Sequence, residues 1–332
     1  MSARAASSAL MSALLAVVCF SLSAHAGPWI PAPGEYYSEL RGSLFSADTY
    51  DDQDGTRLQL GGKWEQRSGQ WSTELGWKKR LSFLFSVPFT SVTLQRDANP
   101  FYSATNTGLA DVTLGMRFAL KKQTASALAL ELDWSAPLGY RKGQYFATDQ
   151  TDSGAWAPLN YGRRFSRLGD SRQSLGLTLQ YGTAFTRRGF LQLSAGAQRR
   201  FLSIRSSAPP PVALSQPDVV VADPLQTAAN FATASADLAF WVRPSLLVGG
   251  RYQGKMLAST NGVKDFELER NLHLAGPFVL WRVDERLDLS AGTWSTASAK
   301  NALHYDQFYV ALAFKQTKLN RLQGFLGGTK AP

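Results

Sequence analysis

The chain is poor in the residues from which disulfides, metal sites and many active sites are built. Among its 332 residues there is one cysteine, Cys19, and beyond residue 26 there are two histidines, His273 and His304, far apart along the chain. Neither histidine has a partner at a metal-ligand spacing, and no Gly-x-Ser-x-Gly turn or glycine-rich phosphate loop occurs. These absences predict a protein that is not an enzyme and that uses no metal or cofactor.

Long hydrophobic runs are also missing, apart from one near the N-terminus. No later stretch approaches the roughly eighteen apolar residues that a transmembrane helix needs. The N-terminal run, residues 9–22, is shorter than that; Arg4 precedes it and the tripeptide Ala-His-Ala follows at 24–26. A basic residue, a short apolar run and a small-x-small tripeptide are typical of a secretory signal peptide. We predict a signal peptide over residues 1–26, cleaved near Ala26.

What the chain does have is strict alternation of apolar and polar residues. In two neighbouring runs, 111–120 and 128–135, every second side chain is apolar, and the others are polar, charged or small. Because successive side chains of a strand point to opposite faces, each run places its apolar residues on one face. Such a strand suits a wall between lipid and water. The residues predicted to face lipid are Val112, Leu114, Phe118, Leu128, Leu130 and Leu132.

The same alternation, with the turn residues between runs, divides the chain into about twelve strands, with about fourteen as the alternative. Short links alternate with long ones, as in outer-membrane barrels. We predict an all-β fold: a transmembrane antiparallel β-barrel over residues 27–316, followed by a basic periplasmic tail over 317–332. The predicted strands are 35–47, 64–78, 81–96, 108–120, 126–138, 172–185, 189–204, 231–242, 245–257, 266–282, 287–297 and 305–316. The predicted long links are 48–63, 97–107, 139–171, 205–230, 258–265 and 298–304.

A soluble β-sandwich would also alternate with one face buried. The barrel is favoured because the strands are long, at about ten residues or more, as a tilted membrane crossing requires. Aromatic residues also gather near the strand ends, where the girdle of a membrane barrel lies. They include Trp71, Trp77, Trp134, Tyr181, Trp241, Tyr252, Trp281 and Trp294.

Charged residues on the polar faces predict the contents of the barrel interior. If the turns at 121–125 and 243–244 are tight, Arg117 lies opposite Glu131, and Asp237 lies opposite Arg251. Opposed unlike charges on one face stabilise neighbouring strands. The sequence is compatible both with a conducting pore and with a plugged barrel that these pairs brace. The predicted lumen-lining residues are Glu74, Asp111, Arg117, Glu131, Asp133, Asp237, Arg251, Lys255, His273 and Asp288.

The formal net charge of the chain is +10. Its basic residues do not form one stripe; many lie in short turns and in the tail, so the footprint of a nucleic-acid-binding protein is missing. For a membrane barrel we expect contacts with outer-membrane lipid and lipopolysaccharide, and none with nucleic acid.

Two of the long links have compositions unusual for solvated loops. Residues 205–230 contain three successive prolines, 209–211, and three successive valines, 219–221. Either link could fold over a barrel mouth as a plug, act as a surface recognition loop, or dip into the membrane. Residues 139–171 are rich in aromatics suited to a hydrophobic ligand. These ligand or plug candidates are Tyr140, Tyr145, Phe146, Trp156 and Tyr161.

One segment resembles a motif of a known family. Thr107-Gly108-Leu109-Ala110-Asp111 is similar to a Thr-Gly-Leu-Gly-Asp motif, with alanine in place of the second glycine. That motif belongs to the outer-membrane proteins grouped as the meta-pathway phenol-degradation family. Ser86-Val87-Pro88-Phe89, Tyr36-Tyr37 and Ser46-Ala47-Asp48 also resemble segments of that family. The resemblance implies a barrel in the bacterial outer membrane and uptake of aromatic or other hydrophobic compounds.

Three functions are compatible with these observations. The first is a channel or transporter for small, hydrophobic or aromatic molecules. The alternative is a structural or adhesive outer-membrane barrel that acts through its long loops. An outer-membrane hydrolase, with His273 as a rim residue, is the least favoured of the three.

Overall fold

The computed structural model describes residues 28–52, 54–96, 102–122, 125–137, 173–186, 188–201, 229–260, 271–300 and 302–316. The predicted signal peptide and the predicted tail lie outside the described residues. So do nearly all of the two long links at 139–171 and 205–230, with their aromatic, proline and valine residues. No helix among the described residues has the length and apolar character needed to cross a membrane.

The described residues form an all-β structure, as the alternation predicts. The strands are β1 (Tyr36–Asp51), β2 (Arg57–Lys78), β3 (Leu81–Arg96), β4 (Tyr102–Leu109), β5 (Asp111–Lys122), β6 (Ser126–Pro137), β7 (Ser174–Ala184), β8 (Gly189–Arg200), β9 (Ala229–Arg243), β10 (Leu246–Thr260), β11 (Asn271–Arg282), β12 (Leu287–Lys300) and β13 (Ala302–Gln316).

The strands close into an antiparallel barrel of twelve strands. β1 pairs with β13, and so joins the last strand to the first. β4 and β5 both pair with β3, β4 along Phe89–Arg96 and β5 along Leu81–Ser86, so together they occupy the place of one strand. The prediction of about twelve strands in a closed barrel is therefore confirmed.

Four predicted long links are wrong, because part of each is strand. Residues 258–260 belong to β10, and residues 298–300 and 302–304 belong to β12 and β13. Residues 102–107 belong to β4. The break between β4 and β5 lies beside Pro88, whose carbonyl accepts a hydrogen bond from Ala110 N–H at 2.9 Å. In a strand, the N–H and the C=O of one residue point to the same neighbouring strand. Pro88 has no N–H, so one hydrogen bond from β3 is missing at the break. The link at 48–63 is also shorter than predicted, since β1 extends to Asp51 and β2 begins at Arg57.

One end of the barrel carries short turns, which join β2 to β3, β5 to β6, β7 to β8, β9 to β10 and β11 to β12. We call it the short-turn end; β1 begins there and β13 ends there. The opposite end, where the remaining connections lie, is the long-link end. The connection of β12 to β13 at this end is a single residue, and the other connections at this end are longer than the short turns. Short turns on one rim and mostly longer connections on the other are the arrangement of outer-membrane barrels.

The outer face of the barrel is apolar. On β5 and β7 the exposed side chains alternate with interior ones, as predicted, so each strand presents a row of large hydrophobic residues outward. Leu128 and Leu130 are half-buried in this face. Val112 differs from the prediction: it is buried, next to the break at Ala110. The exposed rows on these two strands are Leu114, Met116, Phe118, Leu120, Leu175, Leu177, Leu179 and Tyr181.

The barrel interior has two unlike walls. Along β9–β13 a buried apolar cluster packs inside the barrel, formed by Ala239, Leu247, Leu274, Phe278, Trp294 and Tyr309. Along β1–β7 the buried side chains are mainly polar and charged, and they include Glu39, Arg41, Gln70, Glu74, Arg117, Glu131 and Gln180. This division determines the chemistry of the space between the walls.

Candidate functional site

A cavity of about 740 Å³ lies between the two walls. Side chains of β1–β3 and β5–β13 border it, so it occupies the middle of the barrel. Of the residues predicted to line the lumen, six border the cavity directly: Glu74, Glu131, Asp133, Asp237, Arg251 and Asp288.

A buried ion network forms the polar wall, with the guanidinium of Arg117 at its centre. Arg117 Nη2 lies 2.6 Å from Glu131 Oε2, and Arg117 Nη1 lies 2.7 Å from Glu74 Oε2. The Arg117 side chain has no exposed surface. Gln180 Nε2 donates to Glu131 at 2.8 Å, and Ser82 Oγ donates to Glu74 at 2.6 Å. Every member of the network therefore has charged or hydrogen-bonding partners, which buried charges require.

The predicted register of the β5–β6 hairpin is confirmed, since Arg117 pairs with Glu131. Glu74 reaches the same guanidinium from β2, on the far side of β3. The sequence places Glu74 inside the barrel but does not connect it to Arg117. Asp133 lies two residues along β6, where Gly176 on β7 leaves it room: a Cβ on that glycine would overlap the carboxylate.

A second charged pair lies on the apolar wall. Asp237 pairs with Arg251 in the β9–β10 register, as predicted. Their nearest charged atoms, Asp237 Oδ2 and Arg251 Nη2, are 3.8 Å apart, which is too far for a hydrogen bond. The guanidinium instead lies over aromatic rings, 4.1 Å from the centre of Phe278 and 5.5 Å from that of Trp294. The guanidinium of Arg251 is therefore held mainly by contact with ring faces, and less by the carboxylate of Asp237.

A third group of charges lies near the short-turn end. Asp288 receives a hydrogen bond from Arg282 Nε at 3.1 Å and forms an ion pair with Lys315. The guanidinium of Arg282 also lies over the ring of Trp241 at 4.7 Å. Asp288 was predicted inside the barrel, whereas its two cationic partners were missed; both lie at the ends of predicted strands, 266–282 and 305–316, and were not assigned to the lumen.

Sequence reasoning also missed a buried pair on β1. Arg41 Nε donates to Glu39 Oε1 at 2.9 Å, and the hydroxyl of Tyr37 donates to Glu39 Oε2 at 2.9 Å. The signal was present, since Tyr37, Glu39, Arg41 and Ser43 alternate with the outward-facing Leu40 and Leu44.

Two other predicted lumen residues lie farther toward the long-link end. Lys255 shares the interior face of β10 with Arg251, and its Nζ lies 4.5 Å from the ring centre of Phe231. Asp111 shares the interior face of β5 with Arg117 and is half-exposed.

The prediction that His273 faces the lumen is wrong. On β11 its side chain has the same orientation as those of Val279 and Trp281, which are exposed on the outer face. His273 Nδ1 lies 2.6 Å from the hydroxyl of Tyr252 on the neighbouring strand. Leu272 and Leu274, its neighbours in sequence, fill the interior as part of the apolar wall. Because apolar residues occupy both faces of β11, alternation alone does not distinguish inside from outside there.

The five aromatic residues of the link 139–171 lie outside the described residues, so their predicted role as ligand or plug residues stays a prediction. Among the described residues no group of three or more His, Cys, Asp or Glu side chains is arranged to hold a metal ion.

No protein-family model matches the chain, and no curated protein matches it in sequence. Solved structures do match in shape. The chain is similar to the COG4313 outer membrane channel from Pseudomonas putida F1, with 13% identity, 89% of this chain and 100% of that chain covered, and a TM-score of 0.64. More distant likenesses are the NanC porin (6% identity, 84% and 100% covered, TM-score 0.47) and the Pseudomonas putida toluene transporter TodX (8%, 91% and 95%, 0.43). The chain thus has the fold of outer-membrane β-barrels.

Proposed function

We propose that this protein is a channel of the bacterial outer membrane that passes small, hydrophobic or aromatic molecules, and that it is not an enzyme. The observation that carries the proposal is the central cavity of about 740 Å³, bordered on one side by aromatic side chains. Its volume lies within the range of about 300–1,000 Å³ that small-molecule sites occupy. A closed barrel with a polar, roomy interior is the form in which strands enclose a path across a membrane.

The outer face supports the location. The pairing of β1 with β13 joins the first and last strands, and the exposed rows of Leu, Met and Phe would be costly in water and favourable in hydrocarbon. Lipid and lipopolysaccharide would cover this face. In this arrangement the short-turn end faces the periplasm, and a cleaved signal peptide over residues 1–26 would deliver the chain there. The COG4313 protein, which has the same fold, is an outer membrane channel, and this supports the same role here.

The substrate class follows from the contrast between the two walls. Four aromatic residues border the cavity: Phe190, Trp241, Phe278 and Trp294. Glu131, Gln180 and the other polar side chains face them from β1–β7. A solute with one aromatic and one polar side would satisfy both walls at once, because each part would meet groups of its own kind. The resemblance to the meta-pathway phenol-degradation family is consistent with such solutes.

A pair of neighbouring residues on β7 supplies a test with a matched control. Thr178 borders the cavity, whereas Leu177 is 49% exposed on the outer face. The purified protein should give discrete conductance steps in planar bilayers, and benzyl alcohol, an uncharged aromatic solute, should interrupt the current. Thr178→Trp should reduce the conductance because it adds a large side chain to the path, while Leu177→Trp should leave it unchanged.

The structural or adhesive alternative predicts a different result. An intact, membrane-inserted barrel that gives no conductance steps in any of the three forms would contradict the channel and favour a role for the long links.

A further inference from the structure

The guanidinium of Arg251, on the inner face of β10, is enclosed by the barrel but makes no hydrogen bond with any described residue. Its side chain is 13% exposed, and its Nε is buried without an acceptor among those residues. Its approach to a carboxylate is the 3.8 Å between Nη2 and Asp237 Oδ2, which is too long for a hydrogen bond. Buried polar groups normally have partners, because an unmade hydrogen bond in the interior costs free energy. The donors of Arg251 are therefore available to an acceptor in the cavity, which this side chain borders.

Other arginines of the barrel interior have acceptors. Arg117 lies between two carboxylates, at 2.6 and 2.7 Å. Arg41 Nε donates to Glu39 at 2.9 Å. Arg282 Nε donates to Asp288 at 3.1 Å. The unused donors on β10 are thus a property of one site rather than of the interior as a whole.

Aromatic rings hold the guanidinium of Arg251 in place. Its central carbon lies 4.1 Å from the ring centre of Phe278. The ring centres of Trp294 and Tyr309 are 5.5 Å and 5.4 Å away. A guanidinium contacts rings through its flat faces, whereas its N–H bonds lie in its plane. The rings therefore fix the position of the group and leave its hydrogen-bonding edge unused.

A second cation lies beside one of these rings. The guanidinium carbon of Arg41, on β1, is 5.0 Å from the ring centre of Tyr309, and Arg41 also borders the cavity. Glu39 offsets part of its charge. An anion bound at Arg251 would be attracted by Arg41 and repelled by Asp237, whose side chain is 27% exposed. The site thus has one guanidinium to bind an anion, a second to attract it, and a carboxylate that competes with it.

We propose that the central cavity binds aromatic acids, with the carboxylate of the solute on the unused edge of Arg251 and its ring against the aromatic side chains of the apolar wall. A guanidinium can donate to both oxygens of a carboxylate at once, and such charge-assisted hydrogen bonds are about twice as strong as neutral ones. An arginine that ring contacts already hold loses little side-chain entropy on binding. This inference rests on the proposed channel function, and it narrows the solutes from small aromatic molecules to those that carry a carboxylate.

Isothermal titration calorimetry of the purified barrel in detergent tests the site without any need for conductance. Benzoate is compared with benzyl alcohol, which has the ring without the charge, and with acetate, which has the charge without the ring. In the unchanged chain, benzoate should bind about tenfold or more tightly than either. Benzylamine, an aromatic cation, should bind more weakly than benzoate. An affinity for benzoate no higher than for benzyl alcohol or acetate, or tighter binding of benzylamine, would overturn the inference.

Three variants test whether Arg251 is the binding residue. Arg251→Gln should lower the ratio of benzoate affinity to benzyl alcohol affinity by about tenfold or more. Arg282→Gln is the matched control, because Arg282 also borders the cavity and lies over a ring, that of Trp241 at 4.7 Å, but already donates to Asp288. Its replacement should change the ratio little. Asp237→Asn should raise the ratio severalfold, because it removes the competing carboxylate.

Heat-modifiable gel migration shows that each variant is folded. Equal falls in the ratio for Arg251→Gln and Arg282→Gln would mean a general effect of charge and would overturn the assignment. A fall in the ratio for Asp237→Asn would also overturn it, because Arg251 and Asp237 would then act only as a bracing pair.

Conductance in planar bilayers separates this inference from the channel function. If the variants alter benzoate binding as expected but no form of the barrel conducts, the proposed channel function fails while the site stands. If the unchanged chain conducts but binds benzoate no better than benzyl alcohol, the site fails while the channel stands.

Discussion

Replacing Arg117 by methionine should destabilise the barrel strongly, because the guanidinium of Arg117 is the cation that joins Glu74 to Glu131. Methionine has a similar length but no charge. After the change, two carboxylates with 4% and 6% of their side-chain surface exposed would face each other without the guanidinium between them. Gln180 and Ser82 would still donate one hydrogen bond to each carboxylate.

The expected loss in the free energy of unfolding follows from the burial of the two carboxylates. Removal of one partner from a buried ion pair costs about 3–5 kcal/mol, because the charge left behind is uncompensated. Lys63→Met is the matched control. Lys63 also pairs with a carboxylate, Glu65, at 2.6 Å, but the two side chains are 49% and 30% exposed. An exposed pair is worth about 0–1 kcal/mol, so the control should lose far less stability.

The assay is reversible unfolding by urea or guanidinium in lipid vesicles, followed by tryptophan fluorescence. Glu74→Gln and Glu131→Gln, introduced together with Arg117→Met, should recover most of the lost free energy of unfolding, because the two buried carboxylates are then replaced by uncharged amides. A loss below about 1 kcal/mol for Arg117→Met would refute the reasoning. It would mean that water reaches both carboxylates and that the polar wall is wet.

Two further predictions use the same unfolding assay. Leu179→Arg, on the outer face in the middle of β7, should lower the free energy of unfolding by about 2–4 kcal/mol, because the charge would lie in hydrocarbon. Gln192→Arg, at a residue that borders the cavity, should lower it much less. Equal losses would contradict the assignment of the two faces. Gly276→Ala should lower the free energy of unfolding by about 1–3 kcal/mol or prevent folding, because its Cβ would lie 1.9 Å from the Thr293 carbonyl oxygen. Gly250→Ala should be tolerated, since a Cβ there would meet nothing within 4 Å. A stable Gly276→Ala barrel would show that β11 and β12 lie farther apart than in this structure.

The sequence alone determines the membrane-barrel architecture, because alternation with period two is a local property. Each run of Leu, Val and Phe separated by small or polar residues specifies a strand with one apolar face, whatever its neighbours are. Tight hairpins extend this to pairing: once the turn after β5 is placed, Arg117 must lie opposite Glu131, and likewise Asp237 must lie opposite Arg251. The strand count follows too, except where Pro88 interrupts the ladder and divides one strand into β4 and β5.

Other features depend on which distant strands the closed barrel brings together. Glu74 meets Arg117 across β3, and this contact cannot be read from alternation, which specifies a face but not a height along the axis. The orientation of His273 depends on an interior that is itself apolar along β9–β13, so that both faces of β11 carry the same kind of residue. The segment that precedes β1 is the clearest case. Residues 28–35 have no strand periodicity, and their position inside the barrel arises because Gly76 and Gly182, on strands far apart in sequence, leave space where any other residue would place a side chain.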